Sequence, residues 1–418
     1  MPSPAEPAFP PDGFQRFWAG EAVSSFGTYV TLLALQTIVV LTLQGTAQDV
    51  GWLNSARWLP YLVLGLIVGA LVDRRPRRPV MIATDLIRAV LLAAIPAAWA
   101  WGLLTLPLLL LIVVGYGTAS LTNDAASMSF LPRLVPRQHL QRAHARLDGA
   151  DAVAQTTGPV LAGVLIKLVG APFAVLADAL SYVFSAAMVL TLRTPEPTPA
   201  PGRSRSSLRQ EILDGCRWVY SASGLATLAI ATHVWFAANA IVGTVVAPLA
   251  LTALKLSPLQ FGVAIAVGGV GAVAGAACST PLGRRLGTGW AVIAAFGIST
   301  IGVAVMAVAG LGTAGWASVV VLGVGQLCFG FGLTFSNSHE MSFRQTLTPD
   351  ELQARTNTTM RAANRAVVVV VAPLGGLLAV QAGLRPALLV AVGIFVVAAL
   401  ILVASPFRTV DLTGPPHH

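Results

Sequence analysis

Six side chains in this sequence stand where they could exchange protons within an apolar environment: Glu21, Asp124, Asp148, Asp151, His339 and Glu340. Each lies in or beside a long apolar run, and an ionised carboxylate at the centre of a bilayer costs about 3 kcal/mol unless it is wetted or paired. His339 and Glu340 are neighbours, and an imidazole beside a carboxyl suits proton exchange near neutral pH. Solvation at a helix end is the plainer reading of Asp124, His339 and Glu340. Asp148, Asp151 and Gln155 recur at helical spacing and give one acidic face, whereas Asn357, Arg361, Asn364 and Arg365 give a basic one. These faces predict ion pairs, with Arg361 and Arg365 as the basic partners, that form and break as a gate closes and opens. Pairing of each face within its own half is the alternative.

A second group could hold a large apolar molecule. Ser25, Thr28 and Tyr29 share a helix with Glu21, and His233, Phe236 and Asn239 share another, while Phe329 and Phe335 stand further on. Packing between helices is the competing reading, because hydroxyls and aromatic rings serve it equally well. Arg57 stands beside Trp58 and is expected to snorkel to the outer membrane interface, with a substrate contact as the alternative. Asp85 and Arg88 lie one helical turn apart and are expected to neutralise each other.

The elements that must position these residues follow from composition. The chain has 418 residues, of which 55% are hydrophobic and 10% charged. A soluble protein carries roughly 25% charged residues, and the mean hydropathy here is +0.75. The class is therefore an all-α, multi-pass membrane protein. The net charge of +9 sits in short loops between apolar runs, which sets topology and does not make a nucleic-acid surface. Twelve spans of about 20 apolar residues each can be placed. The first six lie near 17–43, 50–72, 80–101, 104–127, 145–168 and 171–192, and the second six near 225–251, 259–282, 289–310, 315–337, 357–381 and 385–405. The organisation expected is a tail (1–13), a six-helix bundle (14–192), a linker carrying a surface amphipathic helix (193–222), a second six-helix bundle (223–407) and a tail (408–418). Arginines concentrate near 74–78, 133–146, 193–209, 284–285 and 344–355, which places both termini in the cytoplasm.

The two halves repeat one another. Met128-Ser129-Phe130 aligns with Met341-Ser342-Phe343, and at the same offset Gly117 meets Gly330 and Pro136 meets Pro349. Two related six-helix halves are a transporter arrangement. No Gly-x-Ser-x-Gly or His-Glu-x-x-His pattern marks an intramembrane enzyme, and no Gly-x-x-x-x-Gly-Lys-Ser/Thr loop marks an ATP-driven pump. Cys216, Cys278 and Cys328 are scattered, so neither a disulfide framework nor a metal cluster is expected.

One loop is more specific. Gly69-x-Leu71-x-Asp73-Arg74 is followed by Arg77-Arg78, with Pro76 and Pro79 tightening the turn. This pattern resembles the loop 2–3 signature of the major facilitator superfamily, with Pro76 in place of its usual second glycine. Gly158-Pro159 with Gly163 resembles the fifth-helix motif of proton-driven drug exporters in that superfamily. Gly20, Ser24, Gly27, Asp85-Leu86-Ile87-Arg88-Ala89 and Leu134-Val135-Pro136 resemble its macrolide-efflux and enterobactin-exporter branch. The resemblance implies two pseudo-symmetric six-helix bundles in the cell membrane. It also implies export of a hydrophobic or siderophore-like small molecule by proton antiport and alternating access, with Asp73 gating the cytoplasmic side. The fourth-helix arginine of many drug–proton antiporters has no counterpart, since Leu109 to Ser120 carries no charge. The partners expected are a small-molecule substrate, protons and the lipid bilayer, in a monomer without cofactor or metal. The alternatives are uptake or facilitated transport by the same fold, and a non-transporting scaffold or lipid scramblase.

Overall fold

A computed structural model describes residues 12–72, 74–192, 208–222 and 224–412. The described residues are helical, with no strand, as a bilayer demands of a chain that must satisfy every backbone group internally. Helix α1 (Asp12–Thr37) runs into one π-helical turn, Ile38–Thr42. Next, α2 (Ala47–Val63) and α3 (Gly65–Val72) form an apolar rod interrupted at Leu64, between Pro60 and Gly65. The first half continues with α4 (Arg77–Ala100), α5 (Leu106–Leu134), α6 (Leu140–Val169), the short α7 (Ala171–Ala174) and α8 (Leu176–Leu190). The second half holds α9 (Leu208–Arg217), α10 (Ala226–Pro248), α11 (Pro258–Val308), α12 (Trp316–Leu347), α13 (Asp350–Ala382) and α14 (Leu384–Val403).

Ten helices among the described residues are long and apolar enough to cross a membrane. One of them, α11, is two helices meeting at Gly287, whose φ of 74° only glycine adopts at little cost. With the interrupted rod α2–α3, this fits the twelve spans expected.

The chain divides into two compact units, residues 1–35 with 60–202 and residues 36–59 with 203–418. In the first, α4 packs on α5 and α8. Phe14, Phe17, Met81 and Phe130 are buried in its core, with the Phe17 and Phe130 rings 6.2 Å apart. In the second, α11 and α12 pack against each other. A Cβ on Gly330 would lie 2.1 Å from the Gly268 carbonyl oxygen, so only glycine lets these helices approach that closely. Trp235 of α10 stacks on Phe329 at 5.8 Å and meets Phe395 edge-on at 5.4 Å. The start of α2 packs on α13, where Ser55 donates to the Val369 carbonyl at 2.7 Å. Helix α9 docks on α13 through an Asp214–Arg355 ion pair of 3.0 Å.

The duplication is visible in the backbone. Helices α1 and α10 both run into five-residue π-helical turns, Ile38–Thr42 and Leu249–Ala253. Each turn is followed by a non-glycine residue in the left-handed region, Gln44 (φ 52°) and Lys255 (φ 51°). Matching side-chain caps then open the next helix. The Thr46 amide donates to Asp49 Oδ2 at 2.7 Å, and the Ser257 amide donates to Gln260 Oε1 at 2.9 Å. Pro136 (φ −54°, ψ 146°) and Pro349 (φ −56°, ψ 147°) share one conformation ahead of equivalent helices.

Candidate functional site

The second unit contains a cavity of about 400 Å³. Helix α2 contributes Arg57 and Trp58, α10 contributes Phe236 and Asn239, and α13 contributes Arg361 and Arg365. The Arg57 guanidinium lies 5.0 Å from the Trp58 ring centroid, and that of Arg365 lies 5.5 Å from it. Both distances are within cation–π range. Asn364 also lines the cavity, and its position is fixed from behind. His233 Nδ1 meets Asn364 Oδ1 at 2.6 Å, and His233 Nε2 meets the Tyr220 hydroxyl at 2.7 Å. Burial pushes the Tyr220 phenol above its ordinary pKa, with Cys216 adding to the rise. Oδ1 of Asn364 can only accept, so His233 Nδ1 carries the hydrogen in that contact.

The first unit contains a buried polar network. Asp85 and Arg88, on α4, form the expected ion pair. Asn123 of α5 donates to Asp85 Oδ1 at 3.0 Å and to Thr84 Oγ1 at 2.9 Å. The Arg88 guanidinium lies 3.9 Å from the Tyr182 ring centroid on α8. The Tyr182 hydroxyl meets Tyr116 at 2.7 Å and Thr28 at 3.2 Å. One turn earlier on α8, Asp178 is fully buried, with the Ser181 hydroxyl 3.1 Å from its Oδ1. Helix α1 abuts it so closely that a Cβ on Gly27 would lie 2.3 Å from Asp178 Oδ1.

The other expected residues disperse. Glu21 is half-buried and accepts from Ser127 at 3.2 Å. Asp124 is exposed and accepts from Tyr61 at 2.8 Å. Asp151 is exposed and accepts from Tyr29 at 3.2 Å, while Asp148 is exposed beside it. His339 and Glu340 point to different neighbours. His339 is buried against Ser279 (3.4 Å) and Phe335, whereas Glu340 accepts from Thr232 at 3.0 Å. Phe335 is buried in the core and stacks on Phe331, and Phe329 stacks on Trp235. Ser25 is half-buried on α1.

In the loop motif, Asp73 lies outside the described residues. Gly69 is half-buried, and Leu71 and Arg74 are exposed. Arg77 is buried and donates to the Arg75 carbonyl at 3.0 Å. Arg78 donates to the carbonyls of Val189 (3.1 Å) and Leu190 at the end of α8, satisfying groups that a helix C-terminus leaves open. Gly158, Pro159 and Gly163 are buried, and a Cβ on Gly158 would lie 2.6 Å from Tyr29 Cβ.

Sequence reasoning passed over Asp178, and for Arg57 it ranked an interface position above a substrate contact. The signal for Asp178 was a carboxylate inside the apolar run 171–192. Arg57 was expected at an interface, yet α2 turns it into a cavity whose aromatic wall receives the cation.

A family model described as Major Facilitator Superfamily matches residues 17–365. The chain is 27% identical over 188 residues to macrolide efflux protein A of Streptococcus pyogenes, covering 44% of this chain and 45% of that one. It is 31% identical over 215 residues to the multidrug efflux pump Tap of Mycolicibacterium fortuitum, covering 49% and 51%. The matched stretch thus spans about half the length of these curated relatives. Among solved structures, a bacterial homologue of the iron transporter ferroportin in an inward-facing state superposes with a TM-score of 0.75 at 17% identity, covering 95% of this chain and 98% of that one. A bacterial homologue of the human lysosomal transporter Spinster gives 0.74 at 13% identity, covering 98% and 100%. These likenesses establish the fold.

Proposed function

Because the chain belongs to the Major Facilitator Superfamily, we propose that it is a secondary active exporter of small molecules, driven by proton entry and working by alternating access. The observation that carries this reading is the buried network of Asp85, Arg88 and Asp178 in spans that face lipid elsewhere. Ionisable groups are expensive there and are retained where charge or protons must move. Asp178 and Glu21 are the carboxylates we assign to the proton, and the cavity lined by Phe236 and Asn239 is the substrate half-site we assign to the second unit. Proton binding and substrate binding each bias one inward–outward equilibrium. The efflux relatives support outward transport. We place both termini in the cytoplasm and the chain in the cell membrane as a monomer.

The test uses inside-out vesicles containing the protein, with an imposed acid-inside gradient. Addition of macrolides, dyes, aromatic acids or siderophores is expected to dissipate the gradient for one compound class. Glu21→Gln is expected to reduce that response at equal protein level. A gradient indifferent to every compound, in vesicles where the protein is folded, sinks proton-coupled export.

A further inference from the structure

We infer that the cavity of the second unit selects organic anions: molecules with a flat apolar body and a carboxylate, sulfonate or similar group. Naming that molecule as the transported cargo rests on the export reading above, while the binding selectivity stands without it.

Charge is the first ground. Arg57, Arg361 and Arg365 line a cavity whose lining residues include no carboxylate. Arginine stays protonated at every accessible pH, so this cavity is cationic under all conditions. Three like charges brought together in a partly dehydrated space repel one another, and an incoming anion relieves that repulsion. An incoming amine would add to it. Neither Arg57 nor Arg361 forms an ion pair among the described residues.

Geometry is the second. Arg57 and Arg365 both approach the Trp58 ring, at 5.0 and 5.5 Å. The indole face is a source of negative potential, and a weak one. A ligand anion is a stronger partner for the same guanidinium groups because it can accept two parallel N–H bonds. Arg361 is exposed and stands one helical turn before Arg365 on α13, so the two can close on one anionic group from the same face. Phe236 and Trp58 offer the apolar surface for the body, and Asn239 and Asn364 offer amides for its polar edge. The His233–Tyr220 relay holds Asn364 in place. A volume of about 400 Å³ lies in the range of small-molecule sites.

The selectivity is tested with three compounds sharing one ring system: 2-naphthoate, its methyl ester and 2-naphthylmethylamine. Binding to the purified protein in nanodiscs is read from quenching of tryptophan fluorescence and checked by calorimetry. The carboxylate is expected to bind at least about ten-fold tighter than the ester, with the amine weakest. Arg361→Gln is expected to weaken naphthoate by about ten-fold while leaving the ester within about two-fold. Arg361→Lys should recover part of the loss, since it restores charge without the fork. Arg137→Gln, an exposed arginine in the first unit, controls for the change in overall charge, and size-exclusion profiles and thermal midpoints verify folding. Equal binding of the three compounds, preference for the amine, no naphthoate binding at millimolar concentration, or an unaltered charge order in folded Arg361→Gln would overturn the inference. Selective naphthoate binding without proton-linked efflux would sink the export reading alone. Efflux of cationic dyes without naphthoate binding would do the reverse.

Discussion

At the scale of single residues, Asp178 is the group whose role is most sharply testable. Its place in the first turn of α8 gives a carboxylate a favourable helix-dipole interaction, which is a purely structural use. Its full burial beside Ser181, in the network that holds Arg88 against Tyr182, fits a proton-carrying use. Asp178→Asn separates the two, because the amide keeps the shape and cannot ionise. We expect this variant to insert with an unchanged thermal midpoint and to lose substrate-linked proton entry by at least about ten-fold. Full activity in the folded variant would leave only the structural use. The Asp85–Arg88 pair was legible in the sequence because both partners lie within one turn of one helix. Asp178 was not, because the residues gathered around Tyr182, one turn further along α8, come from three other helices: Thr28, Arg88 and Tyr116. His339 and Glu340 show the converse. Adjacency in sequence suggested joint action, and the helix sends the two side chains to different partners.

At the scale of elements, close approach of helices sets what can be changed. At Gly27, α1 meets α8 with no room for a side chain: an added Cβ would lie 2.3 Å from Asp178 Oδ1 and 2.8 Å from its Cα. Gly27→Leu should therefore destabilise by about 1–3 kcal/mol or more through overpacking, read as a lowered thermal midpoint in detergent. Gly297 of α11 has no heavy atom within 4 Å of where a Cβ would sit. Gly297→Ala should be neutral or stabilise by up to about 1 kcal/mol, from helix propensity. Equal effects at the two sites would refute the packing account. The spans themselves were legible because length and hydropathy suffice to mark them, and the break between the two expected helices near 282–289 falls at Gly287. The interruption at Leu64 and the π-helical turns after α1 and α10 were not. Those depend on local backbone choices that apolar residues do not advertise. The loop arginines read as topology markers, and Arg78 also closes the end of α8, a contact with no sequence signal because its acceptors are backbone carbonyls.

At the scale of the whole molecule, the family and the repeat were legible, and the chemistry of the cavity was not. Repetition left its trace in short motifs, and the backbone carries it further, in paired π-helical turns and paired left-handed residues. The cavity escaped notice because Arg57 lies far along the chain from the neighbouring Arg361 and Arg365, and each side had a reasonable reading alone, at an interface or in a gate. A lining that is permanently cationic has an electrical consequence. If the cargo is a monoanion leaving the cell while one proton enters, both movements carry positive charge inward, and the resting potential drives them in the same direction. Each elementary charge moved across about 100 mV is worth about 2.3 kcal/mol, so the cycle gains about 4.6 kcal/mol, enough to sustain roughly three decades of cargo gradient. Naphthoate flux in proteoliposomes should accelerate steeply with a potassium diffusion potential clamped by valinomycin, and flux of the neutral ester should respond about half as strongly. A naphthoate flux no more sensitive to voltage than the ester's would remove the charge from the cargo, and one that ignores voltage would remove the exchanged proton as well. On this account the protein works as a rectifier for aromatic acids: polarised cells are emptied of them, and cells that have lost their potential keep them.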